Sequence, residues 1–193
     1  IHYRVLKIIG VGESAVDDKI GYLIAHSSNP TVGVLALPGQ VDVRIAAKAA
    51  DKEEAMKLIA PVEAEVRSLL GNAIFAVDDE TMEKVVGKLL REKNKTVAVY
   101  EDVTCGLLAD RMRSASAEYF LAGFISNGTS SLRAFLGGAR EPDRLAQTIR
   151  DSAALTDELA WCARAQAGSD FGLALHSIPD PKSQEQNLAR GET

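Results

Sequence analysis

Apolar residues recur along this chain in two rhythms, short β-branched runs and longer stretches with a helical period, and their alternation predicts its elements. Val5 to Val11 is apolar and β-rich. Ser14 to Ala25 places Val16, Ile20, Leu23 and Ile24 on one helical face, with Ser14 as the expected N-cap. Thr31 to Leu37 and Val41 to Ala47 are β-like runs divided by Pro38-Gly39, a turn signal. Asp51 opens a long helix, and Glu54, three residues on, completes a capping box. Its apolar stripe includes Met56, Ile59, Val62, Val66, Leu69 and Leu70, and Gly71-Asn72 ends it before a short strand from Ala73 to Val77. Strand, helix, strand, strand, helix, strand is the split βαβ order of small α+β domains.

A second unit starts at Asp78-Asp79. Its predicted elements are a helix from Glu80 to Lys93, a strand from Lys95 to Glu101, a helix from about Thr104 to Arg113, and a strand from Tyr119 to Ile125. They continue with a short helix from Thr129 to Leu136 closed by Gly137-Gly138, helices Glu141 to Asp151 and Asp157 to Gly168, and a buried-type strand from Phe171 to His176. Strands alternating with helices indicate an α/β layered domain. From Ile178 onward the chain is Pro-rich and polar and reads as a loop. The expected organisation is two domains, residues 1–77 and 78–193.

Composition narrows the possibilities modestly. Of 193 residues, 46% are hydrophobic, enough for a substantial core, and no run approaches the roughly 20 apolar residues that cross a bilayer. No membrane association or cleavable leader is expected. The absence of an initiating Met suggests a fragment or a processed chain. Cys105 and Cys162 make no disulfide framework, so a reducing cytoplasm is the expected compartment. A net charge of −5 argues against a nucleic-acid partner, which normally demands a basic face.

The candidate chemistry gathers at Thr96-Val97-Ala98-Val99-Tyr100-Glu101-Asp102-Val103-Thr104-Cys105-Gly106-Leu107-Leu108-Ala109. Here a β-branched run turns directly into a helical pattern and brings backbone N–H groups to the mouth of a pocket. The segment resembles the Ala-Glu-Ser-Cys-Thr-Gly-Gly of the CinA (competence/damage-inducible) family. Gly10-Val11-Gly12-Glu13-Ser14, Val41-Asp42-Val43-Arg44-Ile45, Ile59-Ala60-Pro61-Val62-Glu63-Ala64-Glu65-Val66-Arg67 and Val77-Asp78-Asp79-Glu80-Thr81 match the family too, so the likeness covers nearly the whole chain. It implies a KH-like (ferredoxin-like) connecting domain followed by a C-terminal-type domain whose family activity is deamidation of nicotinamide mononucleotide. It also implies that a molybdopterin-binding-like domain precedes these two in family members. Gly191-Glu192-Thr193 falls where the family begins another strand, so the chain is expected to stop early.

The departures from the family lie in its chemistry. The nucleophilic Ser is replaced by Asp102, the next Cys by Val103, and one Gly by Cys105. Aligning backward from Phe135-Leu136-Gly137 puts Asn127 at the family's assisting Tyr and Leu132 at its assisting Lys. The family's Pro-Gly-Ser-Ser loop is shortened to Arg113-Ser114-Ala115-Ser116-Ala117-Glu118, and its Thr-Gly-Ile-Ala-Gly-Pro becomes His176-Ser177-Ile178-Pro179-Asp180-Pro181. Amide hydrolysis of this kind needs an activated nucleophile and a positive or N–H environment for the oxyanion. With Asp102, Asn127 and Leu132 in those three places, no confident catalytic residue remains. The implied reading is a catalytically dead deamidase-like domain with a structural, oligomeric or ligand-sensing role. An active deamidase with a non-standard nucleophile is the alternative.

Glu101, Asp102, Thr104, Cys105, Gly106, Ser126 and His176 are the candidate pocket residues, with a nicotinamide nucleotide or related small molecule as ligand. Family members associate, so a homodimer is expected. Cys105 beside a helix start and His176 on the bordering loop make a Cys–His pair conceivable; a small residue replacing glycine and a strand-capping histidine explain the same positions more simply. Glu101, Asp102, Asp110 and Asp180 lack metal-ligand spacing and read as solvated or pocket-lining acids, so neither metal nor cofactor is expected. Gly10-Val11-Gly12-Glu13 fits a dinucleotide fingerprint only loosely, and no basic Gly-x-x-Gly loop of RNA-binding KH domains occurs in residues 1–77.

Overall fold

The computed structural model describes residues 1–126, 129–137 and 152–176. Expectations for Asn127, Gly138, the helix at 141–151, Ser177 to Pro181, the polar loop and Gly191-Glu192-Thr193 lie outside those residues. The chain divides into two compact units, Ile1–Val85 and Val86–Thr193, and the division falls inside a helix.

The first unit runs β1 (His2–Ile8), α1 (Glu13–His26), β2 (Thr31–Leu37), β3 (Gln40–Ala47), α2 (Lys52–Leu70), a single 3-10 turn (Gly71–Ala73) and β4 (Ile74–Val77). The sheet order is β2-β3-β1-β4, antiparallel throughout, which is the split βαβ arrangement the pattern predicts. Leu6 and Ile8 of β1 and Val43 and Ile45 of β3 are fully buried together with Val16, Ile20, Ile59 and Val66 of the two helices. Alternation along the strands supplies one face of this core and the helical stripes supply the other. Both neighbours of β1 are antiparallel, so Gly10-Val11-Gly12 lies in no parallel βαβ crevice of the kind that binds dinucleotides.

Three local expectations are corrected here. β1 ends at Ile8 instead of Val11, because its ladder with β3 spans His2↔Ala47 to Ile8↔Val41 and Gly10, at φ +74°, turns the chain away. α1 is capped by Gly12, with no side-chain cap from Ser14; the Val16 N–H donates to the Gly12 carbonyl at 3.0 Å. At α2, Asp51 accepts from the Glu54 N–H at 2.9 Å as a capping box requires, but the Glu54 carboxylate accepts from the Ala50 N–H at 3.0 Å.

Helix α3 (Met82–Lys93) starts later than Glu80 because Asp78 is left-handed (φ +49°) and Glu80 folds back, its carboxylate accepting from the Val77 N–H at 3.0 Å. The second unit continues with β5 (Val97–Glu101), α4 (Leu107–Ser116), β6 (Phe120–Ile125), α5 (Thr129–Gly137), α6 (Ser152–Ala167) and β7 (Phe171–Leu175). Its sheet has the order β6-β5-β7 and is parallel. Every residue of the central strand β5 is buried, as its unbroken apolar run requires when helices cover both faces. Ala98 and Tyr100 pack with Leu132, Leu136, Leu155 and Leu159 of α5 and α6. Val97 and Val99 pack with Leu90 of α3 and Met112 of α4. α6 starts at Ser152, earlier than the expected Asp157, and Gly168 at φ +66° ends it. Among the described residues no helix is long and apolar enough to cross a membrane.

Candidate functional site

Open parallel sheets bind ligands beyond the carboxyl ends of their strands, and the sequence candidates converge there. The turn after β5 carries Asp102, Thr104, Cys105 and Gly106. Ser126 follows β6 and His176 follows β7.

The turn owes its shape to two consecutive left-handed residues, Cys105 at φ +50° and Gly106 at φ +100°. Cys105 pays a steric cost for its Cβ there, which glycine would not. A Cβ on Gly106 would lie 2.9 Å from Ile125 Cδ1, so Ile125 would have to shift, and the φ of +100° suits glycine at this position. These two residues delay α4 to Leu107, where the pattern predicts Thr104. The sulfur of exposed Cys105 lies 3.6 Å from the Asp102 carbonyl and 3.9 Å from that of Val103.

Glu101 and Asp102 diverge. Glu101 has no exposed surface, and its carboxylate accepts from the Thr104 hydroxyl, from the Leu108 N–H at 3.0 Å and from the Ala109 N–H at 2.8 Å. Burial pushes its carboxyl upward, but the bonds from Thr104, Ala109, Leu108 and Gly106 outweigh it and leave the group below its ordinary value. The expectation of a solvated or pocket-lining acid is corrected here: Glu101 is a buried helix cap, and Thr104 serves it.

Asp102 turns to the other strand. Its Oδ2 lies 2.5 Å from Nδ1 of His176, and both side chains are largely buried, 16% and 11% exposed. The Asp102 N–H also donates to the Leu175 carbonyl at 3.3 Å, and the Ser126 N–H to the Glu101 carbonyl at 3.2 Å, so the ends of the three strands are tied together. Beneath them the Tyr100 and Ser126 hydroxyls are hydrogen-bonded, both buried. Burial raises the Tyr100 phenol above its ordinary value, the bond to Ser126 lowers it in part, and the Asp102 charge adds to the rise.

The histidine's partner is therefore Asp102, and among the described residues no bond joins Cys105 to His176. Leu132, expected from the sequence to stand at the family's lysine position, is 8% exposed and packed in the core with Tyr100. Among the described residues no three His, Cys, Asp or Glu side chains are grouped to hold a metal ion. Sequence reasoning missed Tyr100. The signal was present: a tyrosine inside a central strand must find a polar partner, and alternation places it two residues from Asp102's side of the next turn.

Comparison with known proteins places this geometry. Residues 3–76 match the model of the damage-inducible protein CinA KH domain, and residues 79–192 match the CinA C-terminal domain. A relative from Moorella thermoacetica, named as a competence-damage inducible protein, is 39% identical over 183 residues, covering 94% of this chain and 44% of the relative. A CinA-like protein of Acaryochloris marina is 38% identical over 183 residues, covering 94% of this chain and 43% of its own. The chain thus spans less than half the length of these relatives. A solved CinA superfamily structure from Enterobacter cloacae is 22% identical, with a TM-score of 0.42 over 54% of this chain and 64% of that one. With both family models matched in order and nearly end to end, the chain belongs to the CinA family.

Proposed function

We propose that the second unit is a CinA-type domain that retains a ligand site at the carboxyl ends of its strands and has lost amide hydrolysis of nicotinamide mononucleotide. The observation that carries this reading is Asp102, in the place of the family's serine, with its carboxylate held against His176. A carboxylate so engaged is a poor acyl acceptor and adds negative charge where an oxyanion would form. Leu132, in the lysine's place, is a core residue that offers neither a proton nor a charge. Members of such a set act together, so several losses leave little beyond binding. The polar side chains at the strand ends, Asp102, Ser126 and His176, suit recognition of a small polar ligand.

The test is release of ammonia from nicotinamide mononucleotide by the purified chain, alongside ligand-induced thermal stabilisation. Stabilisation without turnover is expected, and Asp102→Ser, which would set a hydroxyl beside His176, is expected to leave turnover far below that of the family's full set because Leu132 supplies neither proton nor charge. Turnover by the unmodified chain that Cys105→Ala abolishes would overturn the reading in favour of a thiol-dependent deamidase.

A further inference from the structure

The first four N–H groups of a helix have no intrahelical partner, and together with the helix dipole they make a ready seat for phosphate or carboxylate. The start of α4 lies next to the candidate site, so the whereabouts of these groups decide what a ligand can use. The Leu107 N–H donates to the Thr104 carbonyl at 3.0 Å, and the Asp110 N–H to the Gly106 carbonyl at 2.9 Å. The Leu108 and Ala109 N–H groups donate to the two carboxylate oxygens of Glu101, at 3.0 and 2.8 Å, and the Thr104 hydroxyl adds a further bond. The Gly106 N–H also bonds to Glu101, so every amide at this helix start is accounted for within the protein.

We infer that Glu101 is a specificity-determining residue that fills the anion seat of α4 from within, so that a ligand at the strand ends is recognised through its uncharged or cationic part and not through a phosphate on this helix. The inference rests on the proposed ligand site. A fully buried carboxylate is costly to desolvate, and charge-assisted donors on both oxygens offset that cost. The neighbouring Asp102 adds a second carboxylate on the strand-end side. An incoming phosphate would therefore meet like charge and no free amide of α4. The carboxamide and pyridinium of a nicotinamide nucleotide carry the complementary donors and charge.

Removing the side chain should expose the seat. Glu101→Ala is expected to melt below wild type and to be restabilised saturably by millimolar formate, relative to chloride at equal ionic strength, while wild type does not respond. Glu101→Gln, which keeps the seat filled, is expected to ignore formate as well. Equal formate responses in wild type and Glu101→Ala, or no response in a folded Glu101→Ala, would overturn the inference. Wild type supplies an arm that does not depend on the variants folding: inorganic phosphate should give no saturable stabilisation, and a saturable one would show an open seat. The preference for nicotinamide mononucleotide over nicotinamide riboside should rise in Glu101→Ala and stay unchanged in Glu101→Gln, and the same preference in all three proteins would also overturn it. If neither nucleotide binds, the proposed ligand site fails, and the formate and phosphate arms still decide the role of Glu101.

Discussion

Placing a lysine at position 132 by Leu132→Lys should damage the fold. Leu132 is 8% exposed and packs against Tyr100, Leu136, Leu155 and Leu159, so the new ammonium would enter an apolar cluster. Burial of this degree lowers a lysine's pKa by about 3 units, and at about 1.36 kcal/mol per unit the charged form costs about 4 kcal/mol. The sign follows from linkage. With the folded-state pKa depressed below the unfolded one, the cost is full below the folded value and disappears as pH rises through the unfolded value. A cost near 4 kcal/mol is a large share of the total stability of a domain, about 5–15 kcal/mol. The measurement is urea unfolding followed by circular dichroism, with Leu132→Met as the volume-conserving control, at about pH 7 and again near pH 10.5. The Lys–Met difference should be about 4 kcal/mol at the lower pH and under about 1 kcal/mol at the higher, once the lysine is neutral in both states. Equal stability of the two variants at neutral pH would show that position 132 reaches water, and the structural case against a latent catalytic lysine would collapse. A difference that persists unchanged at high pH would assign the loss to packing and not to charge.

Two further outcomes test the frame around the site. Gly172→Ala should destabilise by about 3 kcal/mol in the same unfolding assay, because a Cβ there would lie 1.9 Å from the Ala160 carbonyl oxygen and β7 or α6 would have to shift; a neutral effect would refute that packing. Asp170 ties the start of β7 to β5, accepting from the Lys95 ammonium at 2.8 Å and the Thr96 N–H at 2.9 Å, and Lys95 with these bonds holds its carboxyl down at about 2. Its folded pKa is below the ordinary 3.8, so its stabilisation is present above that value and lost as pH falls toward about 2; the stability advantage of wild type over Asp170→Asn should vanish across that window, and an advantage independent of pH would refute the assignment.

Most elements could be read from pattern because the physics that forms them is local. Both periodicities are written into the residues: alternation in β1 and β3, a helical stripe in α2, and an unbroken apolar run in β5. The pattern misplaced the starts of α3 and α4 and the end of β1, and the cause is the same at these three. Asp78, Cys105 and Gly10 occupy left-handed backbone, which for the non-glycine residues no local preference demands and which tertiary contacts impose. A Thr-Cys-Gly sequence can start a helix at its threonine. Here it starts three residues later, because Thr104 instead donates to Glu101.

The site divides along the same line. That the chain would turn from strand to helix just after Glu101 was legible, since the apolar run ends there and a helical pattern follows. That His176 would meet Asp102, 74 residues away, was not, because the partnership depends on β5 and β7 lying side by side, parallel, with Glu101 level with Leu175. Sequence made a Cys105–His176 pair conceivable but favoured a glycine replacement and a strand-capping histidine, and in the structure the histidine meets the Asp102 carboxylate. The two acids illustrate why residue type underdetermines role. Glu101 and Asp102 are adjacent, with the same charge, yet one residue of register sends Glu101 under α4 with Val97 and Val99 and leaves Asp102 at the strand ends beside His176. The first becomes part of the frame and closes the helix to anions. The second is paired with His176 at the strand ends. Residue 102 can therefore change in type without disturbing the strand, the turn or the helix, because the residue that caps α4 is Glu101 and not its neighbour.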